Sequence, residues 1–161
     1  MADSFDQREF RTVLGTFPTG VVIVTACSQA GPQGMTIGAF TSVSLEPPLV
    51  AFLPARSSQT WPRIRDAGKF SVNILGKEQQ ELCRAFARPS SEKYDGVAWG
   101  ESAHGTPHLD GALAWLDCDL DAVFEAGDHD IALGRVIALH RGCDDDPLVF
   151  FRGKFHTIDG E

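Results

Sequence analysis

At 161 residues the chain is long enough for one domain and short for two, and its 43% apolar and 22% charged composition supports a packed core. Twenty-two acidic against 14 basic side chains give a formal net charge of −8, which argues against nucleic-acid binding, since that needs clustered Lys and Arg. No apolar run approaches the roughly 20 residues of a membrane helix. The start, Met1 to Phe10, lacks a basic-then-apolar signal pattern. A single soluble, cytoplasmic domain over 1–161 is therefore expected. Cys27, Cys83, Cys118 and Cys143 lie far apart with no C-x-x-C, and read as buried or half-buried thiols.

Ser4 followed by Gln7 fits a capping box, and Phe10, Val13, Leu14 and Phe17 recur on one face of a short helix. Pro18-Thr19-Gly20 ends it. Val21 to Thr25 is a β-branched run and reads as a buried strand. A turn over Ala30 to Gly34 closes a hairpin into a strand from Met35 to Leu45. Pro47-Pro48 separates that strand from Leu49 to Leu53, and Trp61, Ile64 and Arg65 suit a helix stopped by Gly68. Phe70 to Leu75 alternates as a strand with one wet face. Lys77 to Ala87 is helical in pattern, with Leu82, Ala85 and Phe86 on one side. A Gly-, Pro- and Ser-rich loop runs from Arg88 to about Pro107. Leu116, Cys118 and Leu120 alternate with Asp117, Asp119 and Asp121 in a half-buried strand from Leu113 to Glu125. Ile131 to His140 and Leu148 to Phe151 follow, joined by the acidic turn Cys143 to Pro147. Six or seven short strands with three short helices predict a mainly β, antiparallel barrel.

Several familiar chemistries are missing. There is no G-x-G-x-x-G, no G-x-x-x-x-G-K-[ST] and no G-x-S-x-G. Asp117-x-Asp119-x-Asp121 starts like a calcium loop, but Ala122 stands at the sixth position and Asp128 at the twelfth. His104 and His108 have the spacing of a helical zinc pair, yet Gly105 and Pro107 deny them a helix. A solvated loop is expected there, His140 and His156 stand alone, and no metal site is expected.

Three segments carry more. Gly34 to Leu49 combines small residues, hydroxyls and two prolines where a plain strand would be bulky. Small residues let a flat ligand reach backbone N–H groups, although an irregular edge strand with a bulge has the same composition. Pro54-Ala55-Arg56-Ser57-Ser58-Gln59-Thr60-Trp61-Pro62 sets hydroxyls and an Arg ahead of a helix, which suits an anion or ordinary capping by Ser58 or Thr60. Gly127-Asp128-His129-Asp130 is a tight turn holding a His at a strand junction.

Taken together and in this order, the segments resemble the flavin reductase-like family with its FMN-binding split barrel. The resemblance rests on Phe17 to Val21, Met35 to Leu49, Ser57-Ser58, Phe70 to Leu75, Gly127 to His129 and Leu148 to Gly153, and covers nearly the whole chain. Ser57 to Arg65 and Leu109 to Ala114 resemble the reductase components of two-component flavin-dependent monooxygenases acting on aromatic rings. Gly38-Ala39 departs from the Ser or Asn of many relatives, which removes a side-chain hydrogen bond there but not the backbone ones.

The resemblance implies hydride transfer from NADH (or NADPH) to FMN (or FAD), with the protein supplying stacking, spacing and electrostatics. It implies that Thr36, Ile37, Gly38 and Ala39 hold the isoalloxazine edge, that Ser42, Val43 and Ser44 serve the ribityl chain, and that Arg56, Ser57, Ser58 and Thr60 hold the phosphate. Thr19 in the matched start joins this cofactor-binding set, with Lys93 near the flavin's outer part or the dinucleotide. His129 is the residue expected to position the nicotinamide, and Phe151 and Arg152 line the same mouth. A homodimer with flavin at the subunit interface, and a separate oxygenase receiving reduced flavin by diffusion, are also implied. A flavin-binding electron carrier on the same fold is the alternative. Gly127 to His129 speaks against it, since a carrier needs no nicotinamide site. A pyridoxamine phosphate oxidase type would need a cluster of Arg and Lys for a second phosphate, and the sequence shows none.

Overall fold

The computed structural model describes residues 4–158. In chain order it contains α1 (Gln7–Leu14), β1 (Thr19–Gly20), β2 (Val22–Ser28), β3 (Gly31–Ile37), β4 (Phe40–Leu45), β5 (Pro48–Phe52) and α2 (Trp61–Ala67). Then come β6 (Lys69–Ile74), α3 (Gln80–Ala87), β7 (Trp99–Glu101), β8 (Pro107–Leu109), β9 (Ala114–Ala126), β10 (His129–Arg141), β11 (Leu148–Phe151) and β12 (Lys154–Thr157). Seven strands form one antiparallel sheet in the order β3-β2-β6-β9-β10-β5-β4. A β1-β11-β12 sheet and a β7-β8 hairpin flank it. The protein is thus mainly β and antiparallel with three short helices, as its sequence predicts.

The β-branched run of β2 takes the middle of the action: it pairs β3 on one side and β6 on the other. Only Gly38 and Ala39 separate β3 from β4, which occupy opposite edges of the seven-stranded sheet, so the sheet must curl until those edges approach. One face of the sheet packs Val22, Val24, Met35, Ile37, Phe52, Phe70 and Val72 against Trp61 and Ile64 of α2. On the other, Ile23 and Leu75 meet Cys83 and Phe86 of α3. Phe70 packs so closely on β10 that a Cβ on Gly134 would lie 2.4 Å from its Cζ. All four cysteines are free, and burial pushes the Cys118 thiol up to about 12, which leaves it an inert core residue.

The structure corrects several expectations. Helix α1 is capped by Asp6, whose carboxylate accepts from Glu9 N at 2.7 Å, rather than by Ser4. Its apolar face is real but uncovered: Phe10, Val13, Leu14 and the following Phe17 are all more than half exposed. The strand expected from Met35 to Leu45 is broken in two at Gly38-Ala39. Helix α3 begins at Gln80, because Lys77 is held in the preceding turn by Asp145 and Asp146, each 3.1 Å away. The loop from Arg88 to Pro107 contains β7 and β8, and β1 and β12 are additional; strands of two to four residues carry too little alternation to be read.

The wet face expected on β6 is dry. Ser71 and Asn73 are fully buried because β8 lies over them: Leu109 N donates to Asn73 Oδ1 at 2.8 Å, and Ser71 and Thr106 share a hydroxyl bond of 2.6 Å. Asp117, expected on the wet face of β9, is buried under the same hairpin. Among the described residues no helix is long and apolar enough to cross a membrane.

Candidate functional site

The segment after β5 is fastened to the β9–β10 turn. Ala55 bridges His129, Arg56 N donates to Asp128 O at 2.9 Å, and Asp130 N donates to Pro54 O at 3.0 Å. From there the chain turns into α2. Thr60 stands at the N-cap, and Ser58 Oγ accepts from Thr60 N and Trp61 N, each at 3.2 Å, so Ser58 fixes the turn that leads into the helix. Trp61 is anchored by its indole Nε1, which donates to the buried Asp130 at 2.8 Å. Gly68 ends the helix in the left-handed region at φ 73°, where a side chain would be strained.

Beside this segment opens a cleft of about 560 Å³, walled by β3, the start of α2, and the end of α3 with the chain that follows it. Thr36, Ser57, Ser58, Thr60 and Lys93 all line it, so the fold brings five of the sequence-derived residues to one place. Arg63 and Arg88 line it as well, and no Asp or Glu does. A carboxylate-free cleft with three cations stands out in a chain of net charge −8.

Lys93 lies at its centre. Nζ donates to Gly34 O at 3.0 Å, Phe86 O at 3.2 Å and Thr60 Oγ1 at 3.3 Å. These partners are neutral, and burial of the ammonium pulls its pKa down. An anion placed here would relieve that cost, because a nearby opposite charge favours the protonated form. Phe86, which lines the cleft, packs behind it against Tyr94, with ring centroids 5.0 Å apart and edge to face. Phe86 lies directly on Gly34, whose added Cβ would stand 2.4 Å from a ring carbon. Thr36 lends its backbone to the cleft, since its hydroxyl donates to Cys83 O at 2.7 Å.

The remaining residues do not line this cleft. Gly38 sits beside Thr19, whose hydroxyl would be 3.9 Å from an added Cβ. Ile37, Gly38 and Ala39 make the crossing between the sheet edges, and Ala39 O accepts from Leu53 N at 3.1 Å. Ser42, Val43 and Ser44 lie on the edge strand β4 at a register shift against β5. Arg56 turns away from the cleft toward Glu125, 3.1 Å, and Asp130, 3.7 Å. His129 is at the turn that Ala55 joins to the cleft, with Nδ1 2.7 Å from Asp128 Oδ1; this contact holds the Asp128 carboxyl below its ordinary pKa. Arg152, at φ 51° in the β11–β12 turn, stacks its guanidinium over Phe151 at 4.9 Å. It faces a second cleft, with Arg8 and Arg11 of α1.

Sequence reasoning missed Arg63 and Arg88. The first was one more polar residue on a short helix, and the second opened what looked like a loop. The signal was present in Arg88-Pro89-Ser90-Ser91, a cation and two hydroxyls just past a helix end.

A curled antiparallel sheet with a cationic, hydroxyl-rich cleft suits a protein that binds a phosphorylated ligand. The chain matches the flavin reductase like domain over residues 14–159, and it belongs to that family. It is 44% identical over 158 residues to the reductase subunit HsaB of a flavin-dependent monooxygenase from Rhodococcus jostii, covering 98% of this chain and 81% of that one. It is 42% identical over 151 residues to the FMN reductase (NADH) SmoA of Agrobacterium fabrum, covering 93% and 85%. The NADH:FAD oxidoreductase SgcE6 of Streptomyces globisporus, solved with NAD and FAD fragments, superposes with a TM-score of 0.92 at 36% identity, covering 100% of this chain and 99% of that one.

Proposed function

We infer that this protein is an NAD(P)H:flavin oxidoreductase that reduces FMN or FAD with NADH and supplies reduced flavin to a separate oxygenase component. The observation that carries the reading is the Lys93 cleft: three cations, free of carboxylates, beside the strand crossing at Gly38 and Ala39. That donor set fits a flavin phosphate. Lys93, with Arg63 and Arg88, would neutralise it, and the Ser57 and Thr60 hydroxyls would donate to it. Flavin, when bound, supplies the hydride-accepting ring.

The chain's own residues bind and orient. Backbone groups from Thr36 to Ala39 would hold the ring edge, where fixed dipoles need no reorganisation as charge develops. Thr19 stands beside them, and Ser42 to Ser44 on β4 would take the ribityl chain. His129 would set the nicotinamide against the ring from the turn joined to Ala55. No acid–base pair is required for hydride transfer between two bound cofactors. Arg152 lines the second cleft with its guanidinium over Phe151, and the two would act on the dinucleotide. Arg56 would serve the phosphate only by leaving Glu125 and Asp130.

The sheet's curl, with two residues linking its opposite edges, supports a split barrel. One flavin reductase-like domain working in the cytoplasm as a homodimer completes the proposal. The uncovered apolar face of α1 is the surface that supports a subunit contact.

Anaerobic mixing of the protein with NADH and excess FMN, followed at the flavin's own absorbance near 450 nm, tests the reading. Bleaching of many flavin equivalents is the expected result. Flavin that binds but never bleaches with NADH or NADPH would leave an electron carrier in its place.

A further inference from the structure

A second cluster lies on the face of the sheet covered by the β7-β8 hairpin, where the flavin chemistry makes no use of it. Asp117 of β9 has a side chain only 2% exposed. Its Oδ1 accepts from Ser71 Oγ and, at 3.2 Å, from Thr106 Oγ1, and it lies 2.7 Å from His108 Nε2. Its Oδ2 has a different neighbour, His140 Nε2, at 3.2 Å. The His108 ring is held flat against Trp115, with centroids 5.3 Å apart and 12° between the planes. It meets the His140 ring edge-on at 5.2 Å.

We propose that His108 Nε2, His140 Nε2 and Asp117 Oδ2 form a binding site for one divalent transition-metal ion of the zinc class. The three donor atoms lie within 4.8 Å of one another, and no other cluster of this kind occurs among the described residues. Two imidazoles and a carboxylate are the borderline donors that such ions select, and calcium or magnesium would want more oxygen. Tetrahedral ligation at about 2.0–2.1 Å sets donor atoms about 3.3 Å apart. The 3.2 Å from His140 Nε2 to Oδ2 already matches that value, and His108 Nε2, 2.7 Å from Oδ1, has to turn from that oxygen toward the ion.

The surroundings are those of a supported site. Ser71 and Thr106 hold Oδ1, which fixes the carboxylate plane and leaves Oδ2 to the ion, as outer partners of metal ligands do. Trp115 fixes the orientation of His108. His140 is 45% exposed at its side chain, so the ion has a solvent route and a fourth position for water. The ligands come from β8, β9 and β10, so the ion would clamp the β7-β8 hairpin onto the main sheet. The sequence gives little sign of this, because the ligands are 9 and 23 residues from Asp117.

Calorimetric titration of chelator-treated protein with ZnCl₂ at neutral pH tests the site, with Co²⁺ as a visible-absorbance probe of coordination. One saturable equivalent is expected, with tetrahedral Co²⁺ bands and a higher thermal midpoint for the Zn²⁺-loaded protein. His140→Ala, which removes a half-exposed side chain and so spares the fold, should abolish all three signals. His156→Ala, on β12, should change none of them. Ser71→Ala should weaken binding by about ten- to a hundredfold through the loosened carboxylate. Absence of a saturable equivalent in the wild-type protein, or equal binding in His140→Ala with folding intact by circular dichroism, would overturn the assignment. None of these readouts depends on flavin reduction, so the site and the reductase function stand or fall separately.

Discussion

Lys93 Nζ lies 3.3 Å from Thr60 Oγ1, joining the chain that follows α3 to the start of α2 across 33 residues of sequence. Both residues line the cleft, so an anion bound beside them would be contacted by the ammonium and the hydroxyl together. A charge-assisted hydrogen bond of this kind contributes about 1.5–3 kcal/mol. Lys93→Met should therefore raise the dissociation constant for FMN by about ten- to a hundredfold and leave riboflavin, which has no phosphate, nearly unaffected. Fluorescence titration of both ligands checks this, and equal losses would place Lys93 elsewhere in the site.

Ser57 and Ser58 are adjacent in sequence but differ in employment. Both line the cleft, but Ser58 Oγ is committed to two backbone N–H groups at the start of α2. Ser58→Ala should cost about 1 kcal/mol of stability through the hydrogen bonds lost at the helix entry. Ser57→Ala should leave the denaturant midpoint in place and weaken FMN more than riboflavin. A stability loss for Ser57→Ala matching that of Ser58→Ala would contradict this division.

Much of the fold was legible because it is local. The β-branched run of β2, the Trp61-to-Gly68 helix and the Gly127 turn each carry their own signal within a few residues. What the sequence concealed is tertiary cover. Ser71 and Asn73 alternate with Phe70, Val72 and Ile74 as a wet face would, and only the β8 hairpin makes them buried. Asp117 is hidden for the same reason, and His108 pairs in sequence with His104 rather than with His140, which stands alone because nothing local joins the two. The three hydrophobics of α1 show the converse: their periodicity is clear, but nothing among the described residues buries them. In the cleft, Ser57 to Thr60 were visible as a cluster, while Arg63 and Arg88 became part of it only by folding.

His129 sits where the β9–β10 turn is fastened to Ala55, which lines the cleft, and its proposed partner is the nicotinamide rather than the flavin phosphate. His129→Ala should raise the KM for NADH and lower kcat/KM while flavin affinity holds within about twofold, since a removed positioning contact is felt on the hydride donor. The same substitution removes the contact that depresses the Asp128 carboxyl, so an NMR titration should find the Asp128 pKa rising back toward its ordinary value. Unaltered steady-state kinetics would exclude His129 from the nicotinamide site.

Gly134 is required by Phe70 rather than by backbone conformation. A Cβ there would stand 2.4 Å from Phe70 Cζ and 3.3 Å from Cys118 Cβ, and both residues are fully buried. Gly134→Ala should destabilise the protein by about 1–3 kcal/mol through overpacking. Gly134→Ala combined with Phe70→Leu should recover part of that loss, because the smaller side chain vacates the ring position. A double variant no more stable than Gly134→Ala alone would mean that the strain arises elsewhere on β10.

The apolar face of α1 bears on assembly. Phe10, Val13 and Leu14 are each more than half exposed in the protomer, and a contiguous apolar surface of this kind ordinarily marks a contact with another chain. None of the three is buried against the rest of its own chain, so polar replacements spare the protomer's core. Val13→Asp with Leu14→Asp should therefore lower the mass measured by sedimentation from that of a dimer to that of a monomer, with the circular dichroism spectrum unchanged. If flavin binds between subunits, the same double variant should lose FMN affinity although neither residue lines the Lys93 cleft. A wild-type protein that sediments as a monomer would remove α1 as a subunit contact.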